Sequence, residues 1–85
     1  MRLGFTDSYL RDYRRLPPEV QRHADQRLDR LLENPRHPSL RMKKMRGTRT
    51  LWEVSVTMSY RITFEIRDDT YHLRRVGTHD ILRTP

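Results

Sequence analysis

Two stretches in the second half of the chain alternate between apolar and polar residues and predict neighbouring strands of one sheet. They are Leu51–Thr57 and Tyr60–Arg67. A period of two means that one face of each strand is buried and the other is solvated. The solvated face is expected to bring Glu53, Arg61 and Arg67 to one side of a rigid sheet, where side chains are held more accurately than on loops.

Apolar residues at three- and four-residue spacing predict two helices in the first half of the chain. Thr6-Asp7-Ser8 is a helix-start signal, because its side-chain oxygens can accept hydrogen bonds from free amides, and Pro17-Pro18 ends this short helix. Glu19–Glu33 predicts a longer helix, which Asn34-Pro35 ends. Its apolar stripe contains Val20, Ala24, Leu28, Leu31 and Leu32.

The order of these elements predicts a single α+β domain that spans residues 1–85. Met1–Phe5 predicts an initial strand, and Met42–Arg46 and Thr70–Val76 are further strand candidates. Asp68-Asp69 predicts a tight turn before the last strand. We expect the two helices to pack on one face of a small, mainly antiparallel sheet and to leave the other face open and cationic.

The charge of the chain indicates a polyanionic partner. The formal net charge is +7, from 18 Lys and Arg against 11 Asp and Glu, which favours RNA, DNA, an acidic protein or anionic lipid. No acidic residue lies between Asn34 and Trp52, and this basic window can be either a solvated surface or a polyanion site. Its cations are Arg36, Arg41, Lys43, Lys44, Arg46 and Arg49.

Several classes of protein are excluded or disfavoured by what the sequence lacks. The chain has no cysteine, so disulfides and thiolate zinc sites are excluded. His37, His72 and His79 lack the spacing of a zinc motif, and no cofactor-binding fingerprint is present, so no metal or cofactor is expected. No apolar run approaches the ~20 residues of a membrane span, and no secretory signal is visible, so a cytoplasmic location is expected.

The solvated face of the predicted sheet suits cleavage of RNA without a metal. That reaction needs a base, fixed cations at the phosphate and an acid for the leaving oxygen. Arg61 is the candidate phosphate clamp, because a planar guanidinium can contact two oxygens, and His79 is the candidate for proton transfer. Glu53 is either the base or a structural partner of Arg61 across the strands. An RNase and a non-catalytic binding domain are both compatible with these residues.

Nearly the whole chain resembles the RelE/ParE superfamily of type II toxin–antitoxin toxins. The stretch SYLRDYRRLPPEVQRHADQRLDRLLENP resembles the two-helix half of the family, and LRMKKMRG resembles its basic segment. WEVSVTMSYRITFEIRDD resembles the central hairpin, and the ending RRVGTHDIL is similar to that of YafQ-like members. The resemblance implies a RelE-like fold and an mRNA interferase, an endoribonuclease that cuts mRNA in the ribosomal A site. It also implies that the ribosome, mRNA and a cognate antitoxin are the partners. That antitoxin is expected to be acidic and to make any contact with operator DNA.

The resemblance also implies roles for individual residues. Arg61 resembles the sheet arginine at the scissile phosphate, and His79 resembles the C-terminal histidine of proton transfer. The basic residues Lys43, Lys44, Arg46 and Arg49 are expected to dock RNA. RelE has lysines on the strand face that carries Glu53 and Ser55 here, and YafQ-like members have a histidine in place of Ser55. The general base therefore stays unassigned, and Glu53 is a hypothesis for it. The alternatives are a ParE-like inhibitor of DNA gyrase and an inactive member that acts as a binding protein.

Overall fold

The computed structural model describes all 85 residues, Met1–Pro85, as two helices on a five-stranded sheet. The strands are β1 Arg2–Phe5, β2 Lys43–Lys44, β3 Leu51–Ser55, β4 Tyr60–Arg67 and β5 Thr70–Thr78, and the helices are α1 Asp7–Arg14 and α2 Pro18–Glu33. The strand order is β1-β5-β4-β3-β2, and only β1 and β5 pair in parallel. The α+β fold with a mainly antiparallel sheet is therefore confirmed.

Both helices bury their apolar side chains against the same face of the sheet. The core contains Tyr9, Ala24, Leu28 and Leu31 from the helices together with Val54, Ile62, Phe64 and Leu73 from the strands. Thr6 connects the two layers, since its hydroxyl accepts from the Tyr9 amide at 3.2 Å and donates to the Leu73 carbonyl oxygen at 2.7 Å. The predicted cap of α1 is thus confirmed.

The predicted apolar stripe of α2 is wider than the observed one. Leu31 is fully buried, whereas Leu32 is 40% exposed. Consecutive residues of an α-helix lie about 100° apart around its axis, so the two leucines cannot both point at the sheet centre. Neither helix has the length and apolar character needed to cross a bilayer.

The β4–β5 hairpin is close to the sequence prediction, whereas β2 is shorter. Asp68 and Asp69 have φ of +49° and +66°, as both central residues of a type I′ turn require, so the tight turn is confirmed. β5 runs two residues beyond the predicted Thr70–Val76 and carries a bulge opposite Thr63/Phe64. The Met42–Arg46 candidate reduces to a two-residue strand, β2.

The second face of the sheet is partly covered, and the prediction of an open face is wrong there. The five residues His79–Arg83 form a 3₁₀ turn, here called the C-terminal turn, that contacts β4 and β5. Thr63 is completely buried, and its hydroxyl donates to the Pro85 carbonyl oxygen at 3.2 Å. Because the tail folds back over the sheet, Glu53 and Ser55 are only 6% and 9% exposed.

Candidate functional site

A pocket of about 450 Å³, here called the sheet pocket, lies between the C-terminal turn and the second face of the sheet. Its lining residues are Arg41, Lys43, Glu53, Ser55, Arg61, His79 and Leu82. All three residues predicted for catalysis therefore line one pocket. The strand register explains this, because Arg61 lies opposite Ser55 on β3 and Gly77 on β5, and Glu53 lies opposite Lys43 on β2.

The Arg61 guanidinium is fixed by the turn that precedes it. Its Nη1 donates to the carbonyl oxygens of Thr57 at 2.6 Å, Tyr60 at 2.9 Å and Met58 at 3.3 Å. Its side chain is 13% exposed, and Nη2 makes no hydrogen bond within the protein. One amino group of the guanidinium, Nη1, is thus fixed, while the other, Nη2, keeps two N–H donors for a ligand.

The Glu53 carboxylate is held loosely beside this arginine. Glu53 Oε1 lies 3.9 Å from Arg61 Nε, which is an ion-pair distance but longer than a hydrogen bond. Lys43 lies opposite Glu53 across β2 and β3, yet the two charged groups are not within 4 Å of each other. Glu53 is 6% exposed and accepts no hydrogen bond from the protein, so its oxygens are available to a proton of a bound molecule.

His79 reaches the pocket because it is the first residue of the C-terminal turn. Its side chain is exposed, whereas Ile81 two residues later is buried against Gly77. Ile81 thus anchors the turn while His79 stays in contact with solvent. The imidazole is therefore accessible both to solvent and to a molecule bound in the sheet pocket.

The predicted RNA-docking cations divide into two groups. Lys43, Lys44 and Arg46 line a second pocket of about 450 Å³, which shares Lys43, Glu53 and Leu82 with the sheet pocket. Arg49 is exposed and lines neither of these two pockets. Arg67 is also absent from them: it is exposed and pairs with Glu65 at 2.6 Å, because the long β4 carries it to the hairpin end.

Sequence reasoning missed three lining residues as members of the site: Arg41, Leu82 and Ser55, which the period-two pattern placed on the solvated face without a role. Arg41 lies in the acid-free window, so the charge pattern contained a signal for it, although nothing distinguished it from its neighbours there. Leu82 belongs to a tail without periodicity, and no local pattern indicated that the tail folds back.

The chemistry available in the sheet pocket is anion binding and proton transfer. Three cations, Arg41, Lys43 and Arg61, face one carboxylate, Glu53, so the pocket attracts anions. No three His, Asp or Glu side chains lie close enough together to hold a metal ion. The pocket therefore contains fixed cationic donors, a carboxylate and an imidazole.

Comparison with known proteins identifies the family. The model of the ParE-like toxin domain matches residues 18–80. A chain of the RelB–RelE antitoxin–toxin complex from Methanococcus jannaschii superposes with a TM-score of 0.77 at 18% identity, covering 95% of this chain and 95% of that one. The YoeB/ParE toxin from Agrobacterium tumefaciens gives 0.78 at 15% identity, covering 93% of this chain and 99% of that one.

A chain of the intact RelBE toxin–antitoxin complex from E. coli is 25% identical, with a TM-score of 0.71, and the match covers 89% of this chain and 93% of that one. Among curated proteins, none matches this chain significantly. The structural matches confirm the RelE-like fold expected from the sequence. Since the family model covers most of its length, the chain belongs to the ParE-like toxin domain family and is a toxin of the RelE/ParE superfamily.

Proposed function

We propose that this toxin is a metal-independent endoribonuclease, an mRNA interferase that cuts mRNA on the ribosome and so inhibits translation. The observation that carries the proposal is the convergence of Arg61, Glu53 and His79 in one cationic pocket. Each supplies one of the three functions that RNA cleavage requires, namely phosphate stabilisation, a base and an acid.

In the proposed reaction, Glu53 takes the proton from a ribose 2′-hydroxyl, and the 2′-oxygen attacks the adjacent phosphorus. The bond between phosphorus and the 5′-oxygen breaks, and His79, as imidazolium, gives that oxygen its proton. The products are a 2′,3′-cyclic phosphate and a free 5′-hydroxyl. Arg61 Nη2 donates to the phosphoryl oxygens as their negative charge grows, and because Nη1 is already anchored, little reorganisation is needed.

The basic surface beside the sheet pocket is the proposed RNA track. Lys43, Lys44 and Arg46 line the adjoining pocket, and Arg49 lies exposed a few residues further along the chain. Lysine and arginine contacts to phosphates are independent of sequence and weaken as salt increases. On this proposal, mRNA runs from the Lys43–Arg49 segment into the sheet pocket.

The proposed partner that inhibits the toxin is a cognate antitoxin. The M. jannaschii and E. coli structural neighbours come from antitoxin–toxin complexes. Because this chain carries a net charge of +7, an acidic antitoxin would complement its surface. On the same proposal, both proteins act in the cytoplasm, and any contact with operator DNA is made by the antitoxin.

The experiment that tests this function is inducible expression of the chain alone, with mapping of mRNA 5′ ends in the same culture. Growth arrest with new 5′-hydroxyl ends inside translated codons supports the ribosome-dependent nuclease. Purified toxin that has been stripped of bound metal with EDTA and then transferred to Mg²⁺-containing ribosome buffer should cut mRNA on ribosomes as fast as untreated toxin. Absence of arrest and of cuts would indicate an inactive family member that acts only by binding.

A ParE-like inhibitor of DNA gyrase is the second candidate, and the position of Glu53 favours it. A buried carboxylate 3.9 Å from Arg61 competes with a phosphate for the guanidinium and repels the phosphate. Growth arrest with intact mRNA and loss of negative supercoiling in a reporter plasmid would select this candidate over the nuclease.

A further inference from the structure

We propose that a separate pocket, lined by Trp52 and here called the Trp52 pocket, binds an unpaired nucleobase of the RNA strand whose phosphate occupies the sheet pocket. The proposal rests on the proposed function, since it assigns a base-binding position to the same substrate. The Trp52 pocket has a volume of about 320 Å³. Its lining residues are Pro35, Arg36, His37, Pro38, Arg41, Met42 and Trp52.

The size and charge of the Trp52 pocket suit one nucleotide. Its volume lies at the lower end of the ~300–1,000 Å³ typical of small-ligand sites. It contains two arginines, Arg36 and Arg41, and no acidic residue. Two prolines, Pro35 and Pro38, stiffen its wall, because their rings fix the backbone φ.

Trp52 provides the stacking surface. Trp52 packs against the core, is only partly buried, and also lines the pocket. The core contact fixes the ring orientation before a ligand arrives. Sequence-specific binding of RNA generally uses unpaired bases that stack on aromatic rings or on guanidinium planes, and both kinds of surface are present here.

Arg41 connects the Trp52 pocket to the sheet pocket, because it lines both of them. Its backbone is left-handed, with φ of 46° and ψ of 44°, and its amide donates to the Pro38 carbonyl oxygen at 3.2 Å. Glycine or asparagine adopts this conformation with less strain than arginine does. A guanidinium at the junction can hold the phosphate that joins a nucleotide in one pocket to a nucleotide in the other.

His37 adds a hydrogen-bond donor to the Trp52 pocket, because its hydrogen bonds define the tautomer of its ring. Its Nδ1 accepts from the Ser39 backbone amide at 3.1 Å, and an amide can only donate, so the ring proton of the neutral imidazole is on Nε2. Nε2 can therefore donate to an acceptor on the edge of a base. An acidic peptide would find the cations of this pocket equally attractive, but it would not need a stacking surface.

Trp52 is the only tryptophan in the chain, so its fluorescence reports on the pocket directly. The probe is a five-nucleotide RNA with 2′-O-methyl groups, which cannot be cleaved because it lacks the attacking hydroxyl. The matched probe is an abasic oligomer with the same number of phosphates. A fluorescein label on each probe reports binding independently by anisotropy. We expect both probes to bind, and only the probe with bases to quench Trp52 saturably.

Two variants test whether RNA binding depends on Arg41 or only on the net charge of the protein. Arg41→Asn keeps a residue that tolerates the left-handed backbone, and we expect it to weaken binding of the base-containing probe at least 5-fold. Arg22→Gln removes one exposed cation from α2 as a control for net charge, and we expect less than a 2-fold change. Equal effects of the two variants would contradict the role given to Arg41.

The outcomes separate this proposal from the proposed function. Quenching by the base-containing probe without cutting of mRNA on ribosomes would overturn the nuclease and support the base pocket. Cutting and binding without quenching would overturn the base pocket alone. Quenching by polyglutamate but not by RNA would assign the pocket to an acidic protein and overturn the proposal. Absence of RNA binding by anisotropy would overturn the base pocket, whereas the nuclease is judged by cutting of mRNA on ribosomes.

Discussion

Ile81 lies directly over Gly77, so that a Cβ atom added to Gly77 would stand 2.8 Å from Ile81 Cγ2. Gly77 is the β5 residue opposite Arg61, and Ile81 is the buried residue of the C-terminal turn. The missing side chain at Gly77 therefore lets the turn approach the sheet. That close approach puts His79 and Leu82 at the pocket that contains Arg61.

Gly77→Ala is expected to push the C-terminal turn away from the sheet. Ile81 Cγ2 can move away only if the whole buried side chain turns about χ1, so we expect overpacking to lower the free energy of unfolding by about 1–3 kcal/mol. Displacement of His79 should also reduce toxicity. Urea unfolding and growth assays measure the two effects. In a protein that already carries Ile81→Ala, the Gly77→Ala substitution should lower the free energy of unfolding by less. An equal loss with and without Ile81→Ala would contradict the contact between the two residues.

Arg61→Lys is expected to abolish most of the proposed activity although the charge is kept. A lysine has a single ammonium group. It cannot donate to the Thr57 and Tyr60 carbonyl oxygens and also present two further donors to a phosphate, so we expect about a 100-fold loss in cleavage rate. The measurement is the rate of mRNA cutting on ribosomes. Arg67→Lys is the matched control on the same strand, and its rate should equal that of the original protein. Equal rates for the two variants would remove Arg61 from the mechanism.

Glu53→Gln tests whether Glu53 acts as the general base or only pairs with Arg61. The substitution keeps the shape of the side chain and removes its charge, so phosphate binding should become tighter as repulsion disappears. If Glu53 is the base, cutting should fall by about 10²–10⁴-fold. Oligonucleotide binding and single-turnover cleavage measure these opposite changes. Glu65→Gln, on the neighbouring strand, should change neither. Tighter binding with unchanged cutting would leave Glu53 only its pairing with Arg61.

The Asp12–Arg75 pair joins α1 to β5 and is expected to matter for stability. Asp12 accepts from Arg75 Nε at 2.6 Å, from Arg75 Nη2 at 3.3 Å and from the Val76 amide at 3.2 Å. The hydrogen bond to Asp12 raises the pKa of the Arg75 guanidinium. Asp12→Ala leaves these donors unpaired, so we expect a loss of about 2–3 kcal/mol in urea unfolding. Asp29→Ala, exposed on α2, should lose less than about 0.5 kcal/mol.

The buried Tyr9 hydroxyl is expected to make the free energy of unfolding depend on pH in the alkaline range. Burial, followed by the nearby Asp25 and Tyr13, raises the pKa of its hydroxyl above the ordinary value of 10.0. The folded protein then keeps the proton while the unfolded chain loses it, so stability is intact below about pH 10 and falls as pH rises beyond it, by up to about 1.4 kcal/mol per pH unit.

Tyr9→Phe should flatten this alkaline decline. The Tyr9 hydroxyl is buried without a hydrogen-bond partner, so its removal should also stabilise the protein near neutral pH by about 1 kcal/mol. Urea midpoints at pH 8 and pH 10.5 measure both effects. A variant whose midpoint declines as steeply as that of the original protein would show that other groups control the alkaline transition.

The sequence by itself determined most of the regular elements and placed Glu53, Arg61 and His79 among the candidate site residues. Period-two alternation located β3 and β4, helical spacing and caps located α1 and α2, and Asp68-Asp69 marked the last hairpin. These features depend on local preferences and on which side of each element is apolar, and both are written in short stretches of sequence. The side chains of Glu53 and Arg61 share a face for the same reason.

Only the tertiary structure decided that the second sheet face is partly covered and that Arg41 joins two pockets. The residues responsible lie in the tail and in the loop after α2, where no periodicity exists. Their positions depend on contacts between distant parts of the chain, such as Thr63 with Pro85. Such contacts form only when the sheet is already assembled, and no local pattern encodes them.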